Sequence, residues 1–259
     1  MNAGLNLYSI RTMIQSEEDF LSVAEKLKNA GYSYLQYSGA PFDSEKIKRV
    51  CEKSGMPVYL THVPMDRILG DTEKLMEEHG SFGCKNIGLG SMPASTVSDM
   101  EACKRKVEEL NEAGRVMKEN GFKFFYHHHH FESIKWENGM TPFEYIIENT
   151  ENINFTVDTY WLQYSGLDVC AFIDKLSGRI ECAHLKDYRI NAKKNDEGIT
   201  RFEPGFAPVG YGNLDFKKIT EHLKKAGTKY FFVEQDDAVD YSDPLAEVIK
   251  SINYINKEL

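Results

Sequence analysis

The 259-residue chain carries 40 acidic against 31 basic side chains, for a formal net charge of −9, and 41% of its residues are hydrophobic. That balance disfavours a general nucleic-acid backbone binder, whose affinity draws on clustered Lys and Arg, and no apolar run reaches the roughly 20 residues of a membrane span. Five scattered cysteines, Cys51, Cys84, Cys103, Cys170 and Cys182, contain no C-x-x-C pair and suggest neither a disulfide framework nor a thiolate zinc site.

The opening MNAGLNLYSIRTM has no basic segment followed by a continuous apolar region, so a cytoplasmic chain is expected. Strand-like runs follow at Gly4–Tyr8, Ser33–Tyr37, Val58–His62, Asn86–Leu89, Lys123–His128, Asn154–Asp158, Arg179–His184 and Tyr230–Glu234. Between and after them, helical spacing marks Glu17–Asn29, Ser44–Ser54, Thr96–Asn120, Pro142–Glu148, Val169–Leu176, Phe216–Ala226 and Pro244–Asn256. Several of these close on a glycine suited to a helix C-cap, as at Gly31, Gly55, Gly121 and Gly227. The longest irregular stretch, Arg189–Asn213, reads as a flap. Strands alternating with helices imply parallel pairing, and eight such units in this length predict an α/β fold, a parallel eight-stranded (β/α)8 TIM barrel spanning residues 1–259 as one domain. No G-x-G-x-x-G follows the first strand, which weakens a dinucleotide-binding reading.

Barrel chemistry gathers at the C-terminal strand ends. There the sequence offers His62, the block His127–His130 with Glu132, Asp158, His184 and Glu234. Carboxylate oxygen and imidazole nitrogen together suit one divalent ion, Mn²⁺, Mg²⁺, Co²⁺ or Zn²⁺, able to polarise a carbonyl.

The segments YHHHHFE (Tyr126–Glu132), ENINFTVDTYW (Glu151–Trp161), GRIECAHLKD (Gly178–Asp187), VGYGNLDF (Val209–Phe216) and YFFVEQDD (Tyr230–Asp237) resemble the sugar phosphate isomerase/epimerase family of the xylose-isomerase-like barrel superfamily. LNLYSIR (Leu5–Arg11) fits the same group's first strand. The resemblance implies a divalent metal at the barrel mouth with Asp158, His184 and Glu234 among its ligands, and Glu234 also serving as proton-transferring base. Lys186 and Asp187 are implied to orient the site or contact substrate oxygen, with a structural salt bridge as the alternative. Tyr8, Trp161 and His62 are expected to contact a carbohydrate substrate, with core filling the alternative for the two aromatics.

One position departs from the family pattern. Epimerases that use two carboxylates place the first Glu within the fifth strand, where alignment puts Tyr126. Glu132 folding back is the favoured replacement as metal ligand and catalytic group; a histidine of the block, or a site with three protein ligands and more water, is the alternative. Strand alternation with Tyr126 facing inward would turn His128 inward too and His127 behind the barrel. The resemblance implies an isomerase or epimerase acting on a sugar or keto-sugar by proton abstraction beside a carbonyl. Its alternative is a lyase that dehydrates a keto-inositol or keto-sugar or eliminates from a 3-keto-glycoside. An apurinic endonuclease would need a histidine where Trp161 stands, and a non-catalytic sugar-binding barrel would have little need for the metal set. No nucleic-acid or membrane partner is expected, and a homo-oligomer is compatible with the sequence.

Overall fold

The computed structural model describes residues 1–259. Its barrel strands are β1 (Gly4–Asn6), β2 (Tyr34–Tyr37), β3 (Val58–Val63), β4 (Asn86–Leu89), β5 (Lys123–His127), β6 (Ile153–Asp158), β7 (Cys182–Leu185) and β10 (Tyr230–Val233), with β8 (Asp187–Lys194) and β9 (Thr200–Ala207) forming a separate hairpin. All barrel pairs are parallel, and β10 returns to pair with β1, so no sheet edge is left open. The helices are α1 (Glu17–Ala30), α2 (Ser44–Ser54), α3 (Met65–Gly70), α4 (Thr72–Ser81), α5 (Ala94–Ser98), α6 (Met100–Glu119), α7 (Pro142–Asn149), α8 (Thr159–Tyr164), α9 (Val169–Lys175), α10 (Phe216–Lys225) and α11 (Pro244–Glu258). None is long and apolar enough to cross a membrane.

Capping sets the element boundaries. Ser16, Asp43, Asp71, Asp99, Asp168, Asp215 and Asp243 each accept a backbone N–H from the first turn of the helix they precede. Asp99 does this near the start of the segment expected as one helix over Thr96–Asn120, and so separates α5 from α6. Two short helices under the β3–β4 connection and α8 after β6 were not anticipated; α3 and α8 are six residues each, too short to show a period. The first strand ends at Asn6, whose side chain accepts the Tyr8 N–H and turns Leu7–Met13 into 3₁₀ geometry.

The expected flap is an ordered antiparallel hairpin. Its alternation places Ile190, Ala192, Phe202 and Pro204 on one face and Arg189, Asn191, Lys193, Arg201 and Glu203 on the other. At its base Phe206 packs on Tyr160, ring centroids 4.4 Å apart, while Phe202 further out is 72% exposed.

Inside the barrel, Tyr34, Leu60, Phe125, Cys182 and Phe232 form an apolar floor. With a side-chain period of two, the next inward positions above that floor are Gln36, His62, His127, His184 and Glu234. The first polar layer of the mouth thus stands one step above that floor. The larger core lies between strands and helices and contains Phe124, Tyr126, Phe143 and Phe155. All five cysteines are free, four of them buried.

Candidate active site

His127, Asp158, His184 and Glu234, from the ends of β5, β6, β7 and β10, each offer one ligand atom, and these atoms lie within 4.8 Å of one another. All four are buried. Outer hydrogen bonds fix the two rings. His127 Nδ1 lies 3.0 Å from the Gly90 carbonyl and can only donate to it, leaving the Nε2 lone pair facing Asp158 Oδ2 at 3.3 Å. His184 Nε2 lies 2.8 Å from Gln36 Oε1, so His184 Nδ1 faces Glu234 Oε2 at 2.6 Å and Asp158 Oδ2 at 3.7 Å. Although close, His184 Nδ1 and Glu234 Oε2 are not aligned for a hydrogen bond, and both are buried without a partner. Two imidazole lone pairs and two carboxylates converging on one buried point fit a divalent metal ion.

The remaining contacts keep the carboxylates anionic. Asp158 Oδ1 accepts the Tyr160 and Trp161 backbone N–H groups at the start of α8, and Glu234 Oε1 accepts from Asn6 Nδ2 at 2.9 Å. Burial opposes ionisation at Asp158, but Lys186 and the neighbouring imidazoles hold its carboxyl well below the usual range. Glu234 is likewise lowered against its burial, by His184 first and then Lys186. The buried Lys186 ammonium lies 2.8 Å from Asp236, 3.6 Å from Asp158 and 3.7 Å from Glu234. Burial would lower its pKa, yet these carboxylates raise it. With the imidazoles neutral, Asp158 and Glu234 against one ammonium leave one negative charge, and two when Asp236, whose carboxyl burial pushes up to about 6, is also ionised.

Above the cluster opens a cavity of about 530 Å³. His62, His127, His129, Lys186, Glu234 and Asp236 reach into it from the barrel ends, and only three of its fifteen lining residues are hydrophobic. Its volume and polarity suit a small polyol. Tyr8 stands at the rim under the Arg11 guanidinium, 4.4 Å from its ring centroid.

The histidine block divides in the opposite phase from the one expected. His127 faces the mouth, because Phe125 two residues earlier belongs to the barrel floor. Tyr126 and His128 face the helices. His128 stacks on Phe143 at 4.5 Å and accepts the Asp158 backbone N–H at Nε2, 3.0 Å away, which leaves it a supporting part. Glu132 does not fold back to the cluster. Its Oε1 accepts from Tyr126 Oη at 2.7 Å and its Oε2 from the His129 N–H at 2.8 Å, so both oxygens are engaged on the helix side of β5.

Asp187 also lies away from the cavity. Its Oδ2 accepts the Gly210 and Gly212 N–H groups and its Oδ1 those of Tyr188 and Leu214, tying the hairpin to the loop before α10. A Cβ on Gly212 would come within 2.3 Å of Asp187 Oδ1, which accounts for the glycine in VGYGNLDF. The Trp161 ring lies tilted against those of His129 and His130, its centroid 4.9 Å from Lys186 Nζ, forming a wall beside the ammonium. Gln36, Asn6 and Asp236 complete the site but were not singled out from the sequence; as single amides or a second carboxylate after Glu234, they carry no spacing signature.

A closed parallel barrel with a buried carboxylate–imidazole cluster at the C-terminal mouth defines a class, the barrel enzymes that work beside such a cluster. The chain belongs to the Xylose isomerase-like TIM barrel family, whose sequence profile matches residues 24–258. Inosose dehydratase from Clostridium perfringens (strain 13 / Type A) is 28% identical over 278 residues, covering 93% of this chain and 91% of the relative. Inosose dehydratase from Geobacillus thermodenitrificans is 31% identical over 252 residues, 84% and 82% of the two chains. Among solved structures, a sugar phosphate isomerase/epimerase from Parabacteroides distasonis superposes with a TM-score of 0.81 at 20% identity, covering 99% of this chain and 94% of that one.

Proposed function

We propose that the protein is a divalent-metal-dependent lyase that removes water from a keto-inositol or similar keto-polyol, with His127, Asp158, His184 and Glu234 holding the ion. When bound, the ion would polarise the substrate carbonyl. Glu234 is the base that takes the proton from the carbon beside that carbonyl. Lys186, buried among carboxylates, faces the negative charge gathering on oxygen, and Asp236 beside it is placed to give a proton to the departing hydroxyl.

The observation that carries this reading is that the two carboxylates lining the cavity, Glu234 and Asp236, leave the same strand end, while β5 contributes an imidazole. Two-carboxylate epimerisation needs acids on opposite faces of the substrate, whereas elimination with acid and base on one side does not. The names of the relatives agree with elimination. One feature favours isomerisation as a second reading: His129 lines the cavity with an unpartnered Nδ1, and burial followed by His127 keeps its imidazole neutral, with a pKa down at about 2.

Incubation of inosose with the protein and Mn²⁺ in D₂O, followed by ¹H-NMR, separates the two. Loss of water, with deuterium on the carbon that held the departing hydroxyl once the enol product ketonises, supports the lyase; an epimer or ketose isomer with solvent deuterium supports the second reading. A panel of keto-polyols showing neither exchange nor product would sink both.

A further inference from the structure

Gln36 lies on the floor side of the cavity, fully buried, between two rings with different tasks. Its Oε1 is 2.8 Å from His184 Nε2, and its Nε2 is 2.9 Å from His62 Nε2. His62 belongs to the cavity lining, and its Nδ1 makes no hydrogen bond within the protein and is not among the buried unpartnered atoms. The His62 ring also stacks on His127, centroids 5.1 Å apart and planes 20° from parallel, so it has little freedom to turn over. Gly90 makes room for this stack: a Cβ there would meet the His62 ring at 3.1 Å.

We infer that Gln36 is a positioning residue that transmits the polarity of the His184 ligand to His62, fixing His62 with its hydrogen on Nδ1 and presenting that N–H to substrate oxygen. The chain of donors admits one arrangement. His184 Nδ1 points into the cluster, where its lone pair would be given to the ion, so its Nε2 must carry hydrogen. A ring N–H requires an acceptor, which sets Gln36 Oε1 toward His184 and its NH₂ toward His62. The amide then donates to His62 Nε2, which must offer a lone pair. The one remaining hydrogen of neutral His62 is on Nδ1, facing the cavity. Reversing any link would set two donors or two acceptors face to face, with the cost of unmatched buried polar groups.

This inference deepens the proposed function by naming a donor on the cavity wall that meets a hydroxyl or carbonyl oxygen of the substrate, and it rests on that reading for the ion alone. The test is long-range ¹H–¹⁵N correlation spectroscopy of ¹⁵N-labelled protein with Mg²⁺, the His62 signals being assigned with His62→Gln. The expected spectrum shows neutral His62 with hydrogen on Nδ1. Gln36→Glu, with two acceptor oxygens, should move that hydrogen to Nε2. Gln36→Leu should give an average of both tautomers and weaken Mg²⁺ binding about tenfold by calorimetry. Hydrogen on Nε2 of His62 in the unmodified protein, or a His62 pattern unchanged in Gln36→Glu, would overturn the relay. The unmodified protein carries the first test even if a variant does not fold. Loss of all turnover on keto-polyols alongside the expected His62 spectrum would refute the proposed reaction and leave the relay standing.

Discussion

Replacing Glu132 by Gln separates a ligand from a structural acid. Glu132 is fully buried, and burial pushes its carboxyl up to about 7, with the Tyr126 hydroxyl and the His129 N–H opposing that rise. In an unfolded chain the same group ionises near its ordinary value of 4.5. The folded state therefore holds a proton that the unfolded state has released between those two values. The stability this contributes is complete below pH 4.5, declines as pH rises, and is lost once pH passes about 7. The gap corresponds to about 3 kcal/mol. Gln is isosteric and neutral, and its carboxamide can accept from the His129 N–H while donating to Tyr126 Oη. Urea denaturation of both metal-free proteins in EDTA, from pH 4.5 to 8, should show the variant gaining about 3 kcal/mol on the parent across the range. Mn²⁺ affinity should stay within about threefold, because neither oxygen of Glu132 reaches the cluster. A hundredfold loss of Mn²⁺ binding in Glu132→Gln, or parallel pH profiles for the two proteins, would refute this assignment.

Three further outcomes follow from the same geometry. His127→Ala should lose about a hundredfold in divalent-metal affinity, read by calorimetry and elemental analysis, since it removes one of the four converging donors. Asp187→Ala should destabilise the fold by about 3 kcal/mol in thermal melts while leaving metal content unchanged, because it strips four backbone N–H groups, none of them part of the cluster, of their acceptor. Phe125→Ala should cost about 4 kcal/mol by opening a cavity in the barrel floor beneath His127; a loss under 1 kcal/mol would mean that the floor collapses to fill it.

The barrel was legible because each strand is a short apolar run bounded by turn residues, and Asp158, His184 and Glu234 were legible because each closes such a run. The hairpin was not, since β8 and β9 alternate Ile or Phe with Arg, Lys and Glu without the continuous apolar run of the barrel strands. The phase of β5 was illegible for a different reason. Phe124 and Phe125 are both completely buried, one against the helices and one in the barrel floor, and after Tyr126 four identical residues follow. A strand apolar on both faces carries no alternation from which inward and outward can be read. Phase is then set by the neighbours: pairing of Tyr126 with Leu89 and Phe155 puts it in the outer layer, and Phe125 joins Tyr34, Leu60 and Phe232. One residue of phase decides the chemistry. It places an imidazole, held by the Gly90 carbonyl, among the converging donors, and it sends Tyr126 outward to pair with Glu132. In the proposed site the adjacent histidine thus takes the place of the carboxylate missing from the fifth strand, and the cavity carboxylates are the two at the end of β10.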